Sequence, residues 1–154
     1  MTARPPSLSL QPLHRLAEAR EQDAARRLLE RQRELAERER RLRELVQYLA
    51  EYESAAQVHN AQMLMNRQAF LARLREAVAV QERLVEQART NCDVERTHWL
   101  LQRREVSTLD QLIDRYRRRE RDVEAQRAQR QLDEFALQRF VGENTSVSGG
   151  RGSE

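Results

Sequence analysis

The stretch Leu28–Tyr52, LLERQRELAERERRLRELVQYLAEY, decides the fold of this 154-residue chain. Leucines recur every seven residues at Leu28, Leu35, Leu42 and Leu49, with Leu45 and Tyr52 at the companion spacing between them. A helix turns such positions onto one narrow stripe, the seam of a coiled coil. Ala24 joins the same phase upstream, and the step is expected to continue downstream through Ala56 and Met63.

A second seam, out of phase with the first, runs through Leu71, Val78, Val85, Cys92, Trp99, Val106 and Ile113, accompanied by Leu74, Ala88, Leu109, Tyr116 and Val123. The phase changes between about residues 55 and 70, in the least charged stretch of the middle, where His59 and Asn60 are the weakest helix formers. One unbroken helix over the whole region would be about 190 Å long at about 1.5 Å per residue and would leave its seam uncovered. The expected solution is all-α, two long helices folded into an antiparallel coiled-coil hairpin. With the turn near residue 61, Tyr52 lies opposite Phe70, Leu45 opposite Ala77 and Leu28 opposite Val94. Helix one then runs out opposite residue 112, leaving a helical overhang that carries Tyr116, Val123, Leu132, Phe135 and Phe140. Arg31 and Arg38 fall on the first seam, where arginine stems can cover apolar surface while their heads reach water.

Composition agrees with this reading. Residues 13 to 141 contain neither glycine nor proline, so the tight turns of a β-rich or α/β domain have no residues to form them. The same gap removes any glycine loop for cradling a phosphate. The expected organisation is a flexible N-terminal tail over 1–9, the hairpin over 10–141 with its turn near 55–65, and a disordered C-terminal tail over 142–154. Ser9 is the expected N-cap, with Pro12 tolerated in the first turn and Gly142 as the helix stop.

Charge and chemistry narrow the function. All 28 basic residues are arginine, set against 25 acidic ones, so the surface is interspersed and nearly neutral and argues against a nucleic-acid partner. The run Arg115–Arg121, with five arginines in seven positions, is flanked by Asp110, Asp114, Asp122 and Glu124 and reads as a solvated helix face. No apolar run reaches the length of a membrane span, and Met1–Gln11 lacks the basic start and long apolar stretch of a secretory signal; a soluble, cytosolic protein without direct membrane insertion is expected. The single cysteine, Cys92, excludes an intramolecular disulfide, and His14, His59 and His98 are too scattered for a metal site. A two-helix hairpin offers no concave, dry pocket, so neither catalysis nor a cofactor is expected. Tyr48, Tyr52 and Phe70 cluster beside the turn, and two readings stand: they cap the core, which fits Tyr52 on the seam, or they make a protein contact, which fits Tyr48 and Phe70 standing one position off it as exposed aromatics on a stiff element.

The order Leu45, Val46, Gln47, Tyr48, Leu49, Ala50, Glu51, Tyr52, then Phe70, Leu74 and Ala77, then Trp99 and Leu132-Asp133-Glu134-Phe135-Ala136, resembles the flagellar export FliJ family over residues 10 to 140. Type III secretion stalk proteins of the YscO kind share that architecture. The resemblance implies a non-enzymatic stalk that inserts into the ring of a FliI-like export ATPase, promotes its assembly and links it to the export gate, sitting peripherally at the cytoplasmic face of the inner membrane. By position, Leu45, Tyr48, Tyr52, Phe70, Leu74 and Ala77 correspond to the surface for the cytoplasmic part of an FlhA-like gate protein, with Arg41 and Gln81 departing from the family at its rim. Arg117, Arg118, Arg121, Leu132 and Phe135 are the implied ring contact. Handling of export chaperones is implied too, on no particular residue. The alternative reading from the residues is a structural tether that dimerises through its unpaired C-terminal seam.

Overall fold

The computed structural model describes residues 3–55 and 60–148 and contains three helices there: α1 (Pro6–Ser9), α2 (Gln11–Ser54) and α3 (Ala61–Ser148). The two long helices pack against each other antiparallel. Pro6 opens α1 at a position where a missing N–H costs nothing, and Ser9 is its last residue rather than a cap, its hydroxyl bonded back to the Pro5 carbonyl at 3.3 Å. Leu10 scarcely interrupts the ladder, because its N–H reaches the Pro6 carbonyl at 3.2 Å and its own carbonyl receives the His14 N–H at 2.9 Å.

The ends of α2 and α3 at the reversal are closed by side chains. Asn60 caps α3, its Oδ1 accepting the Met63 N–H at 2.8 Å, so a poor helix former serves as the start signal. Arg67 closes α2 from across the pair, donating to the carbonyls of Tyr52 at 3.3 Å and Glu53 at 2.9 Å, two of the acceptors that a helix C-terminus leaves open. Met63, expected on the first seam, therefore belongs to α3; Ala56 and His59 lie outside the described residues. At the other end α3 does not stop at Gly142. It continues to Ser148, and none of the described glycines has a positive φ, so Gly142 acts as an ordinary helical residue.

The chain packs as two compact units, one of Met1–His14 with Ser107–Glu154 and one of Arg15–Val106. In the second, Ala17, Ala24, Leu28, Leu71, Leu74, Val78, Val85, Ala88 and Cys92 are buried, and Ala24 is fully sealed at 0% exposure. The seam also carries polar residues. Gln81 is buried and donates its amide to the Arg38 carbonyl at 3.0 Å, and Trp99 donates its indole N–H to Glu21 at 2.9 Å. Arg31 and Arg38 sit half-buried on the seam, as expected, and share the carboxylate of Glu34. Tyr52 meets Phe70 as the antiparallel register requires, whereas Val94, expected to face Leu28, is 50% exposed; the seam positions at that level are Cys92 and Glu95.

In the first unit α1 clasps α3. Ser7 gives both its N–H, at 3.1 Å, and its hydroxyl, at 2.7 Å, to the carboxylate of Glu120, and His14 Nε2 lies 2.5 Å from Asp110 Oδ1. Ile113 is buried and Tyr116 half-buried in the packed part, so the overhang begins after Glu120 rather than at residue 112 and excludes Tyr116. From Arg121 through Val147 every residue is exposed.

Burial pushes the Cys92 thiol upward, its main cause being loss of hydration for the thiolate. The sign follows: with a folded pKa above the unfolded one, the contribution to stability is complete below the unfolded value, around 8.5, and is lost as pH rises through the folded value. Labelling of Cys92 by a small alkylating agent at pH 8 is expected to be at least about tenfold slower in the native chain than in the chain unfolded in guanidinium, as a buried, protonated thiol reacts only on opening. Equal rates in the two states would show that the seam around Cys92 is open.

Candidate protein-interaction surfaces

The second unit presents an aromatic cluster. Tyr48 and Tyr52 stand one turn apart on α2, with ring centroids 6.2 Å apart, and Phe70 reaches them from α3 at 4.5 Å from Tyr52 and 6.4 Å, edge-on, from Tyr48. The rings are 49%, 36% and 37% exposed for Tyr48, Tyr52 and Phe70, so they pack on one another and still offer much of their surface. Of the other residues expected there, Leu45 and Ala77 are half-buried and Leu74 is buried. Leu74, at 8% exposure, therefore presents almost nothing to a partner.

The two rim residues differ in kind. Gln81 is turned into the seam, while Arg41 is exposed and pairs with Glu37 at 3.3 Å. Hydrogen bonding to Arg40 holds the Glu37 carboxyl below its ordinary value, with charge from Arg40 and Arg41 adding to it. Leu45 and Tyr48 share a shallow groove with Arg41, Glu44 and Gln81. Sequence reasoning missed Met63, Leu64 and Met65 as part of the exposed apolar surface of this unit. Three consecutive apolar residues in an uncharged stretch were the available signal; counting Met63 into the seam concealed it.

In the first unit the five residues of the second expected surface fall into two patches. Arg117, Arg118 and Arg121 line a depression with Pro5, Asp114 and Glu124, so acidic side chains dilute the arginine charge. Leu132 and Phe135, 64% and 62% exposed, line another with Asp133, Ala136, Arg139 and Phe140. Trp99 belongs to neither patch: it is held on the seam by Glu21, with the Arg103 guanidinium 5.2 Å from its ring centre.

Among the described residues no group of three or more His, Cys, Asp and Glu side chains is placed to hold a metal ion, and no helix is long and apolar enough to cross a membrane. The model of the family described as flagellar FliJ protein matches residues 6–145. The chain belongs to the FliJ family. Membership makes it a component of the flagellar export apparatus, and the FliJ match takes in both helices and both surfaces just described. No curated protein and no solved structure matches this FliJ chain.

Proposed function

We propose that this FliJ-family chain is the non-catalytic stalk of flagellar export. It engages the ring of a FliI-like export ATPase through its first unit, promotes ring assembly and activity, and binds an FlhA-like export gate through Tyr48, Tyr52 and Phe70. The observation that carries this reading is the aromatic cluster: three rings from both long helices in mutual contact, each more than a third exposed. Preorganised aromatics of this kind bind with little ordering cost and form the hot spots of protein interfaces. The exposed helix after Glu120 supports the ring contact, because it offers Leu132, Phe135 and nearby arginines with no internal packing to break. Escort of export chaperones belongs to the same reading, without an assigned residue. The match to the flagellar family favours this role over that of a virulence secretion stalk.

The test is hydrolysis of ATP by the export ATPase from the same genome, with and without the full chain. The expected result is faster hydrolysis accompanied by ring assembly. Unchanged hydrolysis and an unassembled ATPase at excess chain would refute the ring contact.

A further inference from the structure

The packing seam of α3 does not end where helix one stops covering it. The heptad that carries Leu109, Ile113, Tyr116 and Glu120 continues in phase through Val123, Arg127, Arg130, Glu134, Leu137 and Val141. Those last six positions are exposed, the apolar ones at 46% for Val123, 65% for Leu137 and 54% for Val141. They lie on the face of the helix away from Ala128 and Ala136. A seam extended in register past its partner is a continuation of an interface already formed, with one side missing.

The geometry points to a second copy of this chain as the missing side, lying antiparallel across residues 123–141 with a two-fold axis level with residue 132. A two-fold interface must be complementary to itself, and this stretch is. Val123 and Val141 lie at equal distances from that level, as do Arg127 and Leu137, and as do Arg130 and Glu134. An antiparallel copy therefore sets Val123 against the partner's Val141, the stem of Arg127 against the partner's Leu137, and Arg130 against the partner's Glu134, each pair occurring twice. Asp133 flanks the partner's Arg130 on the same edge and adds to its neutralisation.

Charged side chains at seam positions have a precedent in the same molecule. Arg31 and Arg38 sit half-buried on the helix-one seam, bridged by Glu34 at 3.1 Å and 3.4 Å. Such a layer adds little affinity and much register, because sliding by one heptad leaves an arginine unpaired. The result is a weak dimer with one defined alignment. It does not depend on the export role.

Light scattering or sedimentation of the full chain reads this directly. At tens of micromolar the expected mass is twice 18.2 kDa, falling towards 18.2 kDa on dilution. Arg130→Glu alone, or Glu134→Arg alone, sets like charges together twice and weakens the dimer about tenfold or more. The double variant Arg130→Glu with Glu134→Arg restores it. Ala136→Glu, on the opposite face, leaves the dimer unchanged, and circular dichroism checks that each variant stays helical. A monomer at every concentration up to hundreds of micromolar would overturn the inference. So would a dimer that survives either single reversal, fails to return in the double variant, or is dissociated by Ala136→Glu.

Discussion

Deletion of residues 125–154 is expected to abolish the proposed stimulation of the export ATPase and to leave the proposed binding to the gate at full-length strength. Within the described residues, everything removed is exposed helix, while Ile113 and the clasp of Ser7 on Glu120 stay in place. The truncated chain should therefore melt within a few degrees of the full one, since surface residues that pack on nothing contribute little to stability. ATP hydrolysis with the truncated chain is expected to fall to the rate of the ATPase alone, because Leu132 and Phe135 are gone and only the arginine patch of the proposed contact remains. Titration against the gate's cytoplasmic part should give the same Kd as before. Simultaneous loss of both activities would refute the assignment of one contact to each unit; retention of full stimulation would move the ring contact to residues before 125.

The double substitution Tyr48→Ala with Phe70→Ala should weaken gate binding about thirtyfold or more, from the loss of at least about 2 kcal/mol typical of a hot-spot truncation. The two rings touch edge-on at 6.4 Å, so their separate effects are not expected to add. The cost to folding is smaller: an aromatic pair of this geometry contributes about 0.5–1.5 kcal/mol beyond its buried area, and both rings already lie at the margin of the core. Far-ultraviolet circular dichroism should hardly change. Its collapse would show that the rings close the hairpin, and unchanged gate affinity would show that the gate binds elsewhere.

The seams were legible because Leu28, Leu35, Leu42 and Leu49, and Val78, Val85, Cys92 and Ile113, repeat at the helical period and are apolar. The polar members of those seams were not. Gln81, Glu95 and Gln102 occupy the same face as Leu74 and Ala88, but hydrophobic periodicity sees only gaps at those places, and Gln81, which the resemblance sets at the rim, is buried. The Ser7–Glu120 clasp escaped for a related reason: it pairs a buried serine with a half-buried glutamate 113 positions apart, which no local pattern can reveal. Ser9 has the residue type of a cap, but helix begins before it at Pro6, and the cover of α3 accordingly reaches Glu120. Gly142 misled because a glycine signals a stop only where the backbone turns left-handed, and here it does not. The aromatic cluster was legible from Tyr48 and Phe70 standing off the seam, and the burial of Leu74 from its place on the second seam.

The polar bonds across the second unit also determine how it bears mechanical load. Gln81 to Arg38, Trp99 to Glu21 and Arg75 to Glu53 all join the two helices sideways, spaced along their length. A force that drives one helix past the other loads all three in parallel, and a slip of one heptad, about 10 Å of travel, would have to break them together. A force that peels the helices apart from the reversal breaks the bonds of Arg67 first, then that of Arg75, and the others in turn. The pair is therefore rigid in shear and weak in unzipping, so a pull or push along its axis passes through it while a sideways tug at the reversal opens it.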